Sequence, residues 1–334
     1  MAILNNSQVV DQTAAIERIP FQPGLIGALG LYAEEVVRTD AVTFDVRENQ
    51  LFLLDDHLRN VANKNGNEDV PYDVHTMLIP HYPIVKSIGR EKLAGVRAFD
   101  SQSEAIVAAA VAGELEAQAQ RQDLQEEYLK AAMTLQGQVV TTHFGTISMA
   151  TEFGVVQPTQ TITTATVLAD LRSAMAKSKA ALKTGGRVQG YILFAGAELF
   201  ETIIASADVK TAYQFSQANG NPLRNELGTV ANGYTIFRFG NIDVILYDDS
   251  FTTKTGASVT VLADDAGVLV PRTNLGRTFY GPASTLSGLG GIGSKRFATS
   301  YRDPKDRYVE VESEQSTLVI NENFGATVLL SVGA

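Results

Sequence analysis

A few residue groups in this sequence have types and spacing that could do chemistry. Gly288-Leu-Gly290-Gly-Ile-Gly293 fits the GxGxxG pattern, in which a glycine-rich turn brings backbone N–H groups against a pyrophosphate. That chemistry needs a strand before the turn and a helix after it. Here GPASTLS precedes and the proline-containing SKRFATSYRDP follows, so the segment reads as a loop. The four histidines are His57, His75, His81 and His143, and no HExxH spacing joins any of them. His75 and His81 are six apart and share a strand face unless Pro80 breaks the strand. No GxSxG nucleophile elbow and no P-loop occurs. The acid pairs Asp55-Asp56 (with Asp45 and Glu48 nearby), Asp248-Asp249 and Asp264-Asp265 sit in polar segments or after strands, where solvated turn residues are expected. Lys295-Arg296, Arg302, Lys305 and Arg307 form a local basic group. It could touch nucleic acid or an acidic partner loop, but a solvated or intersubunit salt-bridge patch is the expectation. The sequence therefore assigns no catalytic, cofactor-binding or metal-binding residue.

The elements that would have to position any site are more informative. At 334 residues the chain is long enough for about two domains of ~150 residues. It has Lys+Arg 27 against Asp+Glu 37, a net charge of −10, which argues against a basic nucleic-acid binder. With no cysteine it has no disulfide, thiolate metal site, iron–sulfur cluster or cysteine nucleophile. The N-terminus lacks a basic start followed by an apolar run, so no signal peptide is expected. The longest near-apolar stretch, Ala105 to Gly113, is far short of the ~20 residues of a membrane helix.

Residues 1–35 are apolar but interrupted by Pro20, Pro23, Gly24, Gly27 and Gly30, which suits an arm laid on a neighbouring surface. Val42-Thr-Phe-Asp-Val46 alternates with period two, Gln50 to Leu54 continues the run, and Val74 to Ile79 returns beyond a polar tip with an Asn65-Gly66 turn. A hairpin this long, barely stable alone, calls for a partner to lie on. Residues 101–136 have the pattern of one long helix, about 50 Å, stopped at Gly137. Further helices are expected over 164–182 and 197–205, and a polar loop over 209–228. Strands are expected at 191–194, on either side of the Gly240-Asn241 turn, at 258–262 and 268–270, and at 307–312, 316–321 and 326–332.

In the order arm, extended hairpin, long helix, mixed α/β region and closing strands, the chain resembles the tailed-bacteriophage major capsid (coat) proteins, and the phage lambda coat-protein family in particular. Four segments carry the resemblance: Leu135-Gln-Gly-Gln-Val-Val140 at the helix end, Phe194-Ala-Gly-Ala-Glu-Leu-Phe200, Gly240-Asn-Ile-Asp-Val-Ile-Leu-Tyr247, and Ser316 to Val332. The resemblance implies an α+β capsid fold. It would comprise an N-terminal arm (1–35), an extended loop (36–92), a peripheral domain (93–160 and 295–324) with a spine helix at 101–136, and an axial domain (161–294 and 325–334). It also implies self-assembly as hexamers and pentamers into an icosahedral shell around double-stranded DNA, held without sequence-specific binding. Scaffold, portal and decoration (cement) proteins would be partners, no cofactor or membrane would be involved, and assembly in the host cytoplasm would end in the virion capsid. Phe21, Leu25, Val42, Phe44, Val46, Leu51, Leu53, Met77, Ile79 and Tyr82 are the expected intersubunit contacts. Some members cross-link neighbouring subunits through a Lys and an Asn, and Lys64 at the tip is a donor by position. An encapsulin-like nanocompartment shell and a cytosolic enzyme with an unrecognised site are the alternatives.

Overall fold

The computed structural model describes residues 9–19, 24–47, 72–93, 103–182, 188–215, 233–286, 290–305 and 307–333. In chain order the N-terminal elements are β1 (Val9–Asp11), α1 (Thr13–Glu17), α2 (Leu25–Ala28), β2 (Tyr32–Val36) and β3 (Ala41–Arg47). Next come β4 (Tyr72–Leu78), β5 (His81–Gly89), α3 (Arg90–Leu93) and α4 (Ser103–Leu135). The middle of the chain forms β6 (Gln138–Thr141), β7 (Gly145–Ser148), α5 (Met149–Glu152), β8 (Thr159–Ile162), α6 (Val167–Ala181), β9 (Tyr191–Ala195), α7 (Ala197–Ala205) and α8 (Ala207–Phe215). The rest is β: β10 (Ile236–Phe239), β11 (Ile242–Leu246), β12 (Ser250–Thr252), β13 (Ser258–Thr260), β14 (Ala266–Pro271), β15 (Gly276–Tyr280), β16 (Phe297–Arg302), β17 (Tyr308–Asn321) and β18 (Val328–Val332).

Two six-stranded sheets organise the molecule. In the first, β17 is the central strand. Its Tyr308–Ser316 stretch pairs with β5, its Val309–Glu314 stretch with β16, and Thr317–Asn321 with β15, all antiparallel. β2 lies parallel to β15, and β1 closes the other end on β16. The second sheet has the order β10-β11-β9-β14-β18-β8. Its core, with Leu171, Leu193, Leu199, Ile203, Val244 and Leu330, is buried between the sheet and α6, α7 and α8. Extended apolar runs such as Tyr191–Ala195, buried at every position, are what a central strand covered on both faces requires.

Several expectations are changed by this arrangement. β17 runs unbroken for 14 residues where two strands were expected, because Ser313-Glu-Gln315 contains no Gly, Pro, Asn or Asp and the Ser313 and Gln315 side chains find partners on the long helix. β15 pairs with β17, so residues 276–280 join the first sheet rather than the region grouped as axial. Residues 209–215, expected in a polar loop, belong to α8.

The first 35 residues are not a free arm where they are described. Ile16 is buried against Val111, Leu115 and Val311, and Leu25 and Ile26 enter the main core. The reason is a carboxylate on the long helix. Glu127 accepts the N–H groups of Ile26 and Gly27 at 2.7 and 2.8 Å, satisfying the free donors at the start of α2. A side chain at position 24 would overlap that carboxylate, so Gly24 is required by the close approach.

Helix α4 spans 33 residues, about 50 Å, and from Glu126 to Leu135 nearly every position is buried. Its polar face lies on β17. Gln118 Nε2 donates to the Val311 carbonyl (3.2 Å), Gln122 Nε2 to Ser313 Oγ (3.2 Å), and Gln315 Nε2 to Glu126 Oε2 (3.3 Å). Four residues of helix advance about 6 Å and two residues of strand about 6.8 Å, so the ladder stays in step over these rungs. At the helix end Gly137 has φ +65°, and any Cβ there would meet the Phe324 ring.

Candidate functional site

The face a partner could use is built from the hairpin β3–β4 and its surroundings. The register pairs Val42 with Met77 and Phe44 with His75 on one face, and Ala41 with Leu78, Thr43 with Thr76 and Asp45 with Val74 on the other. The first face turns to the chain's own body. Val42 and Met77 are buried in the main core, and Phe44 and His75 gather against Phe153 beside α5, with ring centroids 5.7 Å (Phe44–Phe153) and 6.5 Å apart (His75–Phe153). His75 Nδ1 lies 3.6 Å from Glu152. The second face is open: Val74 is 57% exposed and Leu78 55%.

The expected contact residues divide accordingly. Leu25, Val42, Met77 and Ile79 are buried inside this chain, which corrects the expectation that a neighbour must cover them. Period two identifies two faces of a hairpin but not which one meets the body. Phe44 and Tyr82 are partly buried against the same core. Phe21, Leu51, Leu53, Lys64 and the Val46 side chain lie outside the described residues, as do Asp55 and Asp56. What composition and spacing missed is Val74, Leu78 and Val85, and with them the single exposed residues Val140 (69%) and Leu286 (98%). Their alternation with Met77, Ile79 and Ile88 was the available signal.

Two open grooves flank the root of the hairpin. One, of about 530 Å³, runs between Tyr82, the Arg121–Tyr128 face of α4, Phe144 on the β6–β7 hairpin and Phe251 on β12, with Arg121, His143 and Lys254 among its lining residues. The other, of about 640 Å³, lies between Leu78, Ile79, Phe144 and the loop 281–286. His81 lines both. Its Nε2 is 3.3 Å from Glu314 Oε2, and its Nδ1 is 3.1 Å from Ser316 Oγ. Burial holds the Glu314 carboxyl above its ordinary range against the opposing pull of the Ser284 N–H and His81.

The groups singled out for chemistry are otherwise occupied. Lys295 reaches Glu126 at 3.2 Å and Glu34 at 3.5 Å, and Arg296 pairs with Asp123, both residues being buried. This half of the basic group is therefore an internal bridge to the long helix rather than a solvated or intersubunit patch. Glu126, fully buried, also accepts Lys130 Nζ (2.6 Å), Tyr280 OH (3.0 Å) and Gln315. Asp249 is not a solvated turn acid either: Tyr234 OH donates to it at 2.5 Å, and burial raises its pKa. The GxGxxG segment leads into β16, with no helix following Gly293. Gly293 N–H instead donates to the Val37 carbonyl at 2.8 Å. Among the described residues no three His, Asp or Glu side chains converge as a metal site would need, and no helix is long and apolar enough to cross a membrane.

The described residues thus combine a long helix buried along a sheet, a hairpin with Val74 and Leu78 exposed on its outer face, and a second sheet with its own core, and the class they belong to is that of shell-forming capsid subunits. The chain belongs to the phage major capsid protein E family, whose sequence model matches residues 8–332. It is 26% identical over 336 residues to the major capsid protein of Pseudomonas phage KPP10, covering 94% of this chain and 93% of that one. Its fold is similar to that of a prophage capsid protein from E. coli CFT073, with a TM-score of 0.62, 11% identity, and 97% and 100% of the two chains covered. It is also similar to the mature capsid subunit of bacteriophage PhiM1, with a TM-score of 0.52, 10% identity, and 94% and 88% coverage. The protein is thus a structural capsid protein of α+β capsid fold that assembles into shells, and its place is the virion capsid. These comparisons favour the phage capsid over the nanocompartment alternative.

Proposed function

We propose that the chain forms hexamers and pentamers that close an icosahedral shell around double-stranded DNA, and that the outer face of its hairpin is covered by a neighbouring subunit in that shell. The observation that carries this reading is the exposure of Val74 and Leu78 on the outer face of the hairpin, with Leu78 also lining the groove that reaches Phe144 and the loop 281–286. Exposed apolar side chains grouped beside a groove support a docking face. In this reading residues 41–78 act as the extended loop. The first sheet with α4 is the peripheral domain, and the second sheet, with strands from Thr159 to Pro271 and Val328–Val332, is the axial domain. Scaffold, portal and decoration proteins are the partners such a shell would use during assembly in the host cytoplasm, and DNA is enclosed without being read. The net charge of −10 supports that last point, since it keeps the wall from clamping a polyanion.

The test is a paired charge insertion, Val74→Asp with Leu78→Asp, on the outer face. The expected result is a subunit with unchanged circular dichroism that no longer yields shells tens of nanometres across in negative-stain images. Wild-type shell yield from the variant would overturn the proposed contact.

A further inference from the structure

Three segments of the chain meet at His81, whose chemistry the hairpin contact proposed above does not use. His81 opens β5 at the root of the hairpin and stands opposite Ser316 in the register of β5 and β17. Its Nε2 lies 3.3 Å from Glu314 Oε2 and its Nδ1 lies 3.1 Å from Ser316 Oγ. Both partners reach on to the loop after β15. Glu314 Oε2 accepts the Ser284 N–H at 3.1 Å, and Ser316 Oγ lies 3.4 Å from the Pro282 carbonyl oxygen. Glu314 and Ser316 are buried, while the His81 side chain is 29% exposed and can exchange a proton with solvent.

Counting hydrogens along these contacts gives two different states. The Ser316 hydroxyl has one hydrogen to give. A neutral imidazole that donates from Nε2 to Glu314 has a bare Nδ1, which takes that hydrogen and leaves the Pro282 carbonyl without it. An imidazolium donates from both nitrogens. Its Nδ1–H then gives to Ser316 Oγ, and the hydroxyl hydrogen turns to Pro282. In the same step the contact with Glu314 becomes a charge-assisted one.

We propose that His81 is a proton-operated latch on the loop 281–286: with two ring protons it grips the loop through Glu314 and Ser316 together, and with one it lets go of the Ser316 arm. Imidazole is the side chain that ordinarily changes charge between pH 5 and 8. The grip is therefore present at the acid end of that range and is lost as pH rises through the imidazole's titration. On the far acid side it ends when Glu314, whose carboxyl burial holds above its ordinary range, takes up a proton. Other charges surround the pair. Glu312 acts on Glu314 from the same strand. Arg38 and Asp40, between β2 and β3, line the groove on one side of His81. Arg121 and Tyr128 of α4, Tyr82, His143 and Lys254 line the groove on the other. The loop that the latch holds carries Leu286, 98% exposed, which lines the groove of about 640 Å³ together with Leu78. Gripping the loop thus fixes one wall of the groove beside the proposed shell contact; that consequence rests on the docking reading, and the latch itself does not.

Amide hydrogen exchange of the full chain at about pH 6 and about pH 8, corrected for intrinsic exchange, tests the latch. Protection at 283–286, where the Ser284 amide reports directly on Glu314, should be about threefold or more higher at pH 6, while protection in β9 is unchanged. His81→Gln keeps a side chain that forms hydrogen bonds but does not titrate, and should remove the step. Ser316→Ala keeps the ion pair but breaks the relay to Pro282, and should shrink the step without abolishing it. Equal protection of 283–286 at the two pH values in the wild type, a full step in His81→Gln, or a full step in Ser316→Ala would overturn the proposal. All of these readouts are made on the unassembled subunit, so a failed latch and a failed shell contact are told apart.

Discussion

Charged side chains inside α4 show how much individual residues depend on their partners. Asp123, Glu126 and Lys130 lie in a run that composition alone would place in water, yet each is buried with an opposite charge or several donors. Asp123 and Arg296 tie the long helix to the segment entering β16. Arg296→Ala leaves the Asp123 carboxylate buried without that partner, and loss of one member of such a pair destabilises by about 3–5 kcal/mol. Thermal unfolding of the soluble subunit should show this as a large drop in midpoint. A variant within a degree of wild type would mean that Asp123 is solvated on breathing. None of this was legible beforehand, because the partner residues lie 173 positions apart and only the sheet brings them together.

At the scale of elements, α4 was readable as one long helix, from helix-forming residues and a glycine stop, to within two residues at each end. Its surroundings were not. Buried apolar and polar residues follow one another around it, because the sheet, α2 and the second sheet enclose it on several sides. Two leucines five residues apart should therefore respond very differently in the isolated subunit. Leu129→Ala, in the core, is expected to cost about 2–5 kcal/mol in chemical denaturation. Leu124→Ala, exposed in the groove, should stay within about 0.5 kcal/mol. The hairpin tells the same story: its alternation was plain, but the face that docks on Phe153 was chosen by α5, which carries no signal linking it to Phe44.

For the whole molecule, the net charge of −10 sets how copies meet. Like-charged subunits repel, and salt screens that repulsion with a Debye length of about 10 Å at 0.1 M and about 3 Å at 1 M. Shell assembly followed by light scattering should begin at lower protein concentration as salt rises, because the proposed contact at Val74 and Leu78 is apolar and is not weakened by screening. Assembly that is suppressed by salt would show that ion pairs between subunits dominate instead.

The sequence by itself determined the long helix, most of the strands, their order and hence the family resemblance, because helix formers, period-two strands and glycine stops act over a few residues. Tertiary structure alone decided that the N-terminal segment is held by Glu127, that β17 joins β5, β15 and β16 in one sheet, that Arg296 is buried, and that Asp249 is half-buried against Tyr234. Each of these depends on groups far apart in the chain sharing a site from which water has been removed. In that setting the energy of a charge or hydrogen bond is set by its neighbours in space, which local sequence does not specify.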